Sequence, residues 1–187
     1  MVDEKQQLRG DLLGARRARS ASDLEAARAA IRDHLRERLA GLGCVAAYVP
    51  LRTEPGSMEL LAQLRAGGTR VLVPVTLPDR DLDWATWSTD GVGTALGVAA
   101  ISTADLVLAP ALAVAPDGTR LGRGGGSYDR ALGRLRPQVP VAALLFDGEL
   151  VAELPREPWD VPVSAVVTPR DGWLDLDGRN TGVEADR

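Results

Sequence analysis

The chain has 187 residues, 45% of them apolar and 26% charged, with a formal net charge of −4, a globular balance that excludes chain-wide disorder and argues against a general nucleic-acid binder. No apolar run approaches the roughly 20 residues of a membrane helix, and the polar opening Met1–Gln6 carries no secretory pattern, so a cytoplasmic protein is expected. One Cys and one His exclude a disulfide framework within the chain and Cys/His zinc centres, and leave His34 as the only imidazole a hydrolytic triad could use.

Residues 3 to 40 read as helix. Leu8, Leu12 and Leu13, then Leu24, Ala27, Ile31, Leu35 and Leu39, recur at helical spacing, and Ser20-Ala21-Ser22 interrupts them. Ser22 with Glu25 fits a capping box, which predicts a second helix from there, ended by Gly41 and Gly43. His34, among Ile31, Leu35 and Leu39, reads as an ordinary helix residue. Val45 to Val49 follows as a short apolar strand ended by Pro50, with Cys44 a small core residue at its start. Met58 to Leu64 is a helix with Leu60, Leu61 and Leu64 on one face. Val71–Val73 and Leu106–Leu108 read as buried strands stopped by Pro74 and Pro110, and Val139–Phe146 and Val163–Val167 as two more. Thr76 to Gly97, with Trp84 and Trp87 among polar and glycine residues, reads as loop, as does Pro116 to Ser127. The tail from Pro169 is polar and rich in Asp, and reads as frayed past Leu176. Continuous apolar runs suit parallel strands covered on both faces. Strands alternating with helices predict a three-layer α/β/α fold with a mostly parallel central sheet, as one domain over residues 1–176 with a tail over 177–187.

The densest signal is Arg120-Leu121-Gly122-Arg123-Gly124-Gly125-Gly126-Ser127-Tyr128-Asp129-Arg130, which follows a strand and opens a helix through Ala131, Leu132 and Leu135. Glycines ahead of a helix let backbone N–H groups approach an anion, and Arg120 and Arg123 suit phosphate oxygens. Asp129, in the first turn, can hold a hard cation such as magnesium; it can equally be a carboxylate favoured by the helix dipole. Asp160, just before Val161, can be a second metal carboxylate or a turn residue. A Walker A loop is excluded because the block holds no Lys, and the dinucleotide fingerprint fails at Ser127. Lys5 is the single Lys beside 21 Arg. With Arg9 it forms an i, i+4 pair, either a solvated basic face or two cations with an anion between them. Glu54 lies past the end of the first strand, at the edge where open α/β sheets bind ligands, and is either an acceptor for a ligand ring or a turn residue. Trp84 and Trp87 either line a site for a flat ligand or pack as a lid on their own sheet.

Taken in order, these motifs resemble the 5-formyltetrahydrofolate cyclo-ligase family, also called methenyltetrahydrofolate synthetase, over residues 5 to 168. The resemblance is carried by Lys5-x-x-Leu8-Arg9 followed by Arg16 or Arg17, by Glu54, by Val71–Pro74 and by Asp105-Leu106-Val107-Leu108-Ala109-Pro110. Its most specific part is Asp117-Gly118-x-Arg120-Leu121-Gly122-x-Gly124-x-Gly126-x-Tyr128-Asp129-Arg130, and Leu154-Pro155-x-Glu157-x-x-Asp160 with Val167-Thr168 closes it. What the resemblance implies is a Rossmann-like fold and a magnesium- and ATP-dependent conversion of 5-formyltetrahydrofolate to 5,10-methenyltetrahydrofolate, with release of ADP and phosphate. In that chemistry the formyl oxygen attacks the γ-phosphate, nitrogen 10 closes the ring and phosphate leaves. Positioning and charge neutralisation suffice, without a His or Cys nucleophile. By resemblance, Lys5 and Arg9 contact ATP, and Arg120, Leu121, Gly122, Arg123, Gly124, Gly125, Gly126, Ser127 and Tyr128 wrap its phosphates. Arg123, Gly124 and Gly126 reach the formyl end of the folate, with Arg123 the catalytic cation. Asp129 and Asp160 hold magnesium, and Val49, Glu54 and Trp87 contact the folate, Glu54 at the pterin. The expectation is a monomer with small-molecule substrates and neither nucleic-acid nor membrane partners.

The sequence departs from the family pattern in four places. Ser127 replaces an aromatic, Gly125 stands where Lys is frequent, Trp159 where His is common, and Ala99-Ala100 replaces Glu-Pro. Gly125 leaves Arg123 to serve beside the transferring phosphate. Two rival readings stay open at this point. One is a sugar-phosphate isomerase or acyl-CoA transferase relative, on fold analogy. The other is a nucleotide- or folate-binding protein without catalysis.

Overall fold

A computed structural model describes residues 2–176; the expected tail over 177–187 lies outside the described residues. Two helices, α1 (Val2–Ala18) and α2 (Ala21–Leu39), precede the sheet. The cap of α2 is Ser20 and not the expected Ser22: Ser20 is extended, its Oγ accepts from Asp23 N at 3.1 Å and donates to Asp23 Oδ2 at 2.7 Å. Ser20-x-x-Asp23 thus satisfies the orphan N–H with a shorter acid than the Ser22-x-x-Glu25 pattern required, and the helix starts two residues earlier.

The remaining elements are β1 (Cys44–Ala46), α3 (Met58–Ala66), β2 (Arg70–Thr76), β3 (Leu82–Ser88), β4 (Gly91–Ala95), a 3₁₀ helix (Val98–Thr103), β5 (Leu106–Pro110), β6 (Ala113–Val114), β7 (Arg120–Leu121), α4 (Ser127–Leu132), β8 (Val141–Leu144), β9 (Ala165–Thr168) and β10 (Gly172–Asp175). Eight strands form one sheet in the order β10-β9-β8-β5-β1-β2-β3-β4, and β6 and β7 pair separately. The five strands from β9 to β2 are parallel, while β3, β4 and β10 are antiparallel additions at the edges.

Side chains alternate between the two faces. On one, Ile31, Leu35 and Leu39 of α2 and Leu60, Leu61 and Leu64 of α3 cover Val45, Val71, Val73, Leu106 and Leu108. On the other, Ile101, Ala131 and Leu132 cover Ala46, Leu72, Val107, Ala109, Ala143 and Val166. Both faces are dry, as continuous apolar strands demand, and the expected three layers are present.

Two expectations are corrected. Thr76 to Gly97 is not loop but the β3–β4 ribbon, and its tryptophans are core residues, with Trp84 0% and Trp87 5% exposed. Trp84 joins one face and Trp87 the other, as an odd spacing of three along an alternating strand requires. Pro74 does not end β2. It stands opposite Trp84, whose carbonyl is bonded on its far side by Leu96 N. The missing N–H of Pro74 therefore points to the side where β1, paired only as far as Leu72, has already ended. The polar stretch after Pro169 contains β10, which Thr168, Val167, Val166 and Ala165 pair residue by residue. Among the described residues no helix is long and apolar enough to cross a membrane.

Candidate functional site

β1 is flanked by β2, its successor through α3, and by β5, reached only after the edge ribbon. The strand order therefore reverses between β1 and β5, and their C-terminal ends open a crevice. The loop after β1 carries Val49 and Glu54, and the segment after β5 carries Arg120 to Tyr128. The two meet: Arg123 Nε lies 3.4 Å from Glu54 Oε1. Glu54 is fixed from behind, since its Oε2 accepts from Leu51 N at 2.8 Å and its side chain is 7% exposed. Arg28 of α2 ties the loop down, donating to Arg52 O at 2.8 Å and to Glu54 O at 2.9 Å. Arg123, by contrast, is half exposed on a run of exposed glycines.

Arg120 is the fixed cation. Its side chain is 4% exposed; it donates from Nη2 to Asp129 Oδ1 at 3.0 Å and its guanidinium lies 5.6 Å from the Tyr128 ring centroid. Asp129 Oδ1 also accepts from Val161 N at 3.2 Å. The neighbouring residue Asp160 has Oδ2 bonded by Glu157 N at 2.8 Å and by Lys5 Nζ at 3.4 Å. Lys5 also reaches Glu157 Oε1 at 3.9 Å. Arg9 Nε donates to Gly122 O at 2.9 Å, so α1 lies across both the glycine loop and the 157–160 turn. Gly124 has a φ of +100° and a Cβ there would sit 3.5 Å from Arg9 Cζ, and Gly126 caps α4 at a φ of +65°. Both conformations belong to glycine.

The structure thus links Lys5, Arg9, Glu54, Arg120, Gly122, Arg123, Gly124, Gly125, Gly126, Ser127, Tyr128, Asp129 and Asp160 through contacts among α1, the loop after β1, the glycine loop and the 157–160 turn. Two of the expected contacts differ in kind. The Leu121 side chain is buried against Leu112, Ala113 and Leu154, with Leu8, Leu12 and Leu13 of α1 beside them, which leaves its backbone to the site. Trp87 is 5% exposed, in the same core cluster as Tyr48 and Leu60, and presents no open ring. Val49 is 44% exposed at the crevice edge. The helix opened by the glycine loop is also shorter than expected. α4 has 6 residues, ends at Gly133 and excludes Leu135, so it contributes little dipole and the arginines supply the field.

Among the described residues no group of three or more His, Cys, Asp or Glu forms a metal cage. Two carboxylates close together, each with one oxygen held by backbone N–H and a cation, are a donor set of the other kind: the one or two hard ligands that magnesium takes when substrate phosphates complete its shell.

Sequence reasoning passed over Tyr48 and Arg28. Tyr48 lies inside the apolar run Val45–Val49 and Arg28 is one arginine among many on a helix, and only the folded loop reveals that the partners of Arg28 are carbonyls.

Fold and site together define a doubly wound α/β protein with a glycine- and arginine-rich loop and two carboxylates near the switch point of its sheet. The profile of the 5-formyltetrahydrofolate cyclo-ligase family matches residues 1–169. The chain is 40% identical over 192 residues to 5-formyltetrahydrofolate cyclo-ligase of Mycolicibacterium smegmatis, covering 92% of this chain and 97% of that one. It is 40% identical over 74 residues to the protein of the same name in Escherichia coli K12, covering 39% of this chain and 41% of the other. Among solved structures, the 5,10-methenyltetrahydrofolate synthetase of Mycoplasma pneumoniae superposes with a TM-score of 0.75 at 23% identity, over 87% of this chain and 96% of that one. That of Aquifex aeolicus gives 0.74 at 22% identity, over 98% of each; both likenesses bear on the fold. The chain belongs to the 5-formyltetrahydrofolate cyclo-ligase family, and it is an enzyme.

Proposed function

We propose that the chain converts 5-formyltetrahydrofolate to 5,10-methenyltetrahydrofolate with ATP, releasing ADP and phosphate, in the crevice between the loops after β1 and β5. The single observation that carries this reading beyond family membership is the 3.4 Å pair between Glu54 and Arg123. It couples the carboxylate suited to the folate ring to the cation suited to the transferring phosphate. The formyl oxygen attacks the γ-phosphorus and ADP leaves. Nitrogen 10 then adds to the activated formyl carbon, loses its proton, and phosphate departs. Each step needs alignment and neutralised charge rather than a protein nucleophile.

Arg123 is the cation free to turn from Glu54 to the phosphate, because its loop carries no side-chain bulk at positions 124 to 126. Arg120 stays paired and holds Asp129 in place. Lys5 and Arg9 bring the charge of α1 to the outer phosphates. Asp129 and Asp160 would hold magnesium, each through the oxygen not already engaged, and when bound the ion neutralises phosphate charge. The ordered pairing of cations with carboxylates keeps the cradle assembled until the nucleotide competes for them.

The test mixes purified protein, ATP, magnesium and 5-formyltetrahydrofolate and follows the near-ultraviolet absorbance of the methenyl product. Product that depends on ATP is the expected result. Ligand binding without turnover replaces the reading with that of a binding protein.

A further inference from the structure

One polar group at the end of β1 has no task in the reaction as described. Tyr48 is 7% exposed and its buried hydroxyl makes no well-formed hydrogen bond, the Gly56 backbone N–H being the group that acts on its oxygen while its proton finds no acceptor. The Tyr128 hydroxyl and Arg120 Nε are orphaned in the same way. Buried polar atoms are nearly always paired, and each one that is not is costly. The two hydroxyls feel one carboxylate, Glu54, whose charge raises both phenols. Tyr48 Oη presses on Gly56, two residues beyond Glu54, where an added Cβ would lie 2.9 Å from it. Arg120 lies over the Tyr128 ring. Burial first, then the Glu54 charge, pushes the Tyr48 hydroxyl above its ordinary range, and burial does the same to Tyr128 against the opposing pull of Arg120. Both phenols are therefore O–H donors at any working pH.

We propose that Tyr48 is a further substrate-binding residue, whose hydroxyl donates to the ring carbonyl oxygen of the folate beside the N–H groups that meet Glu54. The inference rests on the reading of Glu54 as the folate-side carboxylate. An amino-pyrimidinone edge presents N–H donors next to a carbonyl acceptor. A carboxylate takes the first and a phenol the second, and a site offering both in sequence matches that edge. Gly56 keeps the space the hydroxyl occupies. Entry of the ring follows release of Arg123 from Glu54, which uncovers this corner.

The test compares wild type with Tyr48→Phe in the complete chain. The expected result is a folate KM raised about three- to tenfold, the worth of one neutral hydrogen bond, with the ATP KM unchanged. The melting temperature of the ligand-free variant stays level or rises, because an orphaned hydroxyl is removed. A 4-deoxy folate competitor, with hydrogen in place of the ring oxygen, binds wild type less tightly than its 4-oxo counterpart, and the preference disappears in the variant. An unchanged folate KM overturns the assignment. So does a variant whose stability falls while its 4-oxo preference persists, since the hydroxyl then serves the fold alone. Wild-type protein that neither turns over nor binds 5-formyltetrahydrofolate overturns the reading of Glu54 and this inference with it, so the two failures are distinct.

Discussion

Lys5 is the one ammonium in a chain of guanidiniums, and its surroundings account for the choice. Its Nζ stands between Asp160 and Glu157 with 16% of its side chain exposed, a gap that suits a compact point charge on a flexible stem better than a planar fork. Lys5→Ala is expected to raise the apparent ATP constant about tenfold to a hundredfold, the worth of roughly 1.5–3 kcal/mol for a charge-assisted bond. Lys5→Arg should recover only part of this, and Arg17→Ala, exposed on the same helix, should do nothing. Initial rates against ATP decide it; wild-type ATP dependence in Lys5→Ala would leave Lys5 as a partner for Asp160 and no more. Asp129 has a double role by geometry, as counter-charge to Arg120 and as an oxygen donor toward the phosphates. Asp129→Asn keeps an acceptor for Val161 N but loses the charge. It is expected to lower turnover by at least about a hundredfold, beyond the usual worth of a supporting contact to a metal, and to shift the magnesium concentration giving half-maximal rate. An unchanged magnesium dependence would reduce Asp129 to an anchor for Arg120.

At the scale of elements, α1 is what completes the cradle, and a buried ion pair docks it. Arg16, 1% exposed, donates from Nε to Glu149 Oε1 and from Nη2 to Glu149 Oε2, both at 2.7 Å. Phe146 N also donates to Glu149 Oε2, and the Phe146 ring lies 5.5 Å from the Arg16 guanidinium. Truncating one member strands the other charge in the core. Arg16→Ala is therefore expected to cost about 3–5 kcal/mol in urea unfolding, whereas Arg16→Met combined with Glu149→Leu should cost far less or nothing. Equal losses in the two proteins would mean that the pair itself, rather than the uncompensated charge, holds α1. The same helix shows where the sequence was readable. Its leucines at helical spacing gave the element, and the apolar runs at Val45, Val71, Leu106, Val141 and Val166 gave five parallel strands, because a strand dry on both faces has a composition that little else shares. β3 and β4 were hidden because they form an antiparallel ribbon at one side of the sheet, with β4 its edge strand. Leu82-Asp83-Trp84-Ala85-Thr86-Trp87-Ser88 loses its alternation at Trp84-Ala85, where both faces are covered, and Gly91–Ala95 is exposed throughout. Their identity comes from the neighbour they pair with. In the site, Lys5, Arg9, Glu54, Arg120 to Tyr128, Asp129 and Asp160 were legible as residue types at chain positions that the strand order then joins. Tyr48 and Arg28 were not, since an orphaned hydroxyl and a set of bonded carbonyls exist only after folding.

Seen as a whole molecule, the chain has an unusual relation to alkaline pH. Nearly all of its cations are arginines, which keep their charge far above neutrality, so the pairs of Arg16 with Glu149, Arg134 with Asp81 and Arg120 with Asp129 survive where lysine pairs fail. The weak point is elsewhere. The chain holds only two tyrosines, and both hydroxyls are buried without a well-formed hydrogen bond. Burial is the main reason that both phenols are held above their ordinary value. The sign follows directly. Above about pH 10 the unfolded chain releases phenol protons that the folded chain retains, so the unfolded state binds fewer protons and stability falls as pH rises. With two such groups the slope reaches about 2.7 kcal/mol per pH unit, enough within two or three units to consume the stability of an ordinary domain. A pH titration that records phenolate absorbance and helical circular dichroism together is expected to show both phenolates appearing at once, in the transition where the helix signal is lost. Tyr48→Phe should halve the phenolate amplitude and move the transition to higher pH. A gradual phenolate signal near pH 10 with the helices intact would mean that water reaches these hydroxyls in the folded protein, and the corner beside Glu54 would then be wet rather than reserved for a ligand.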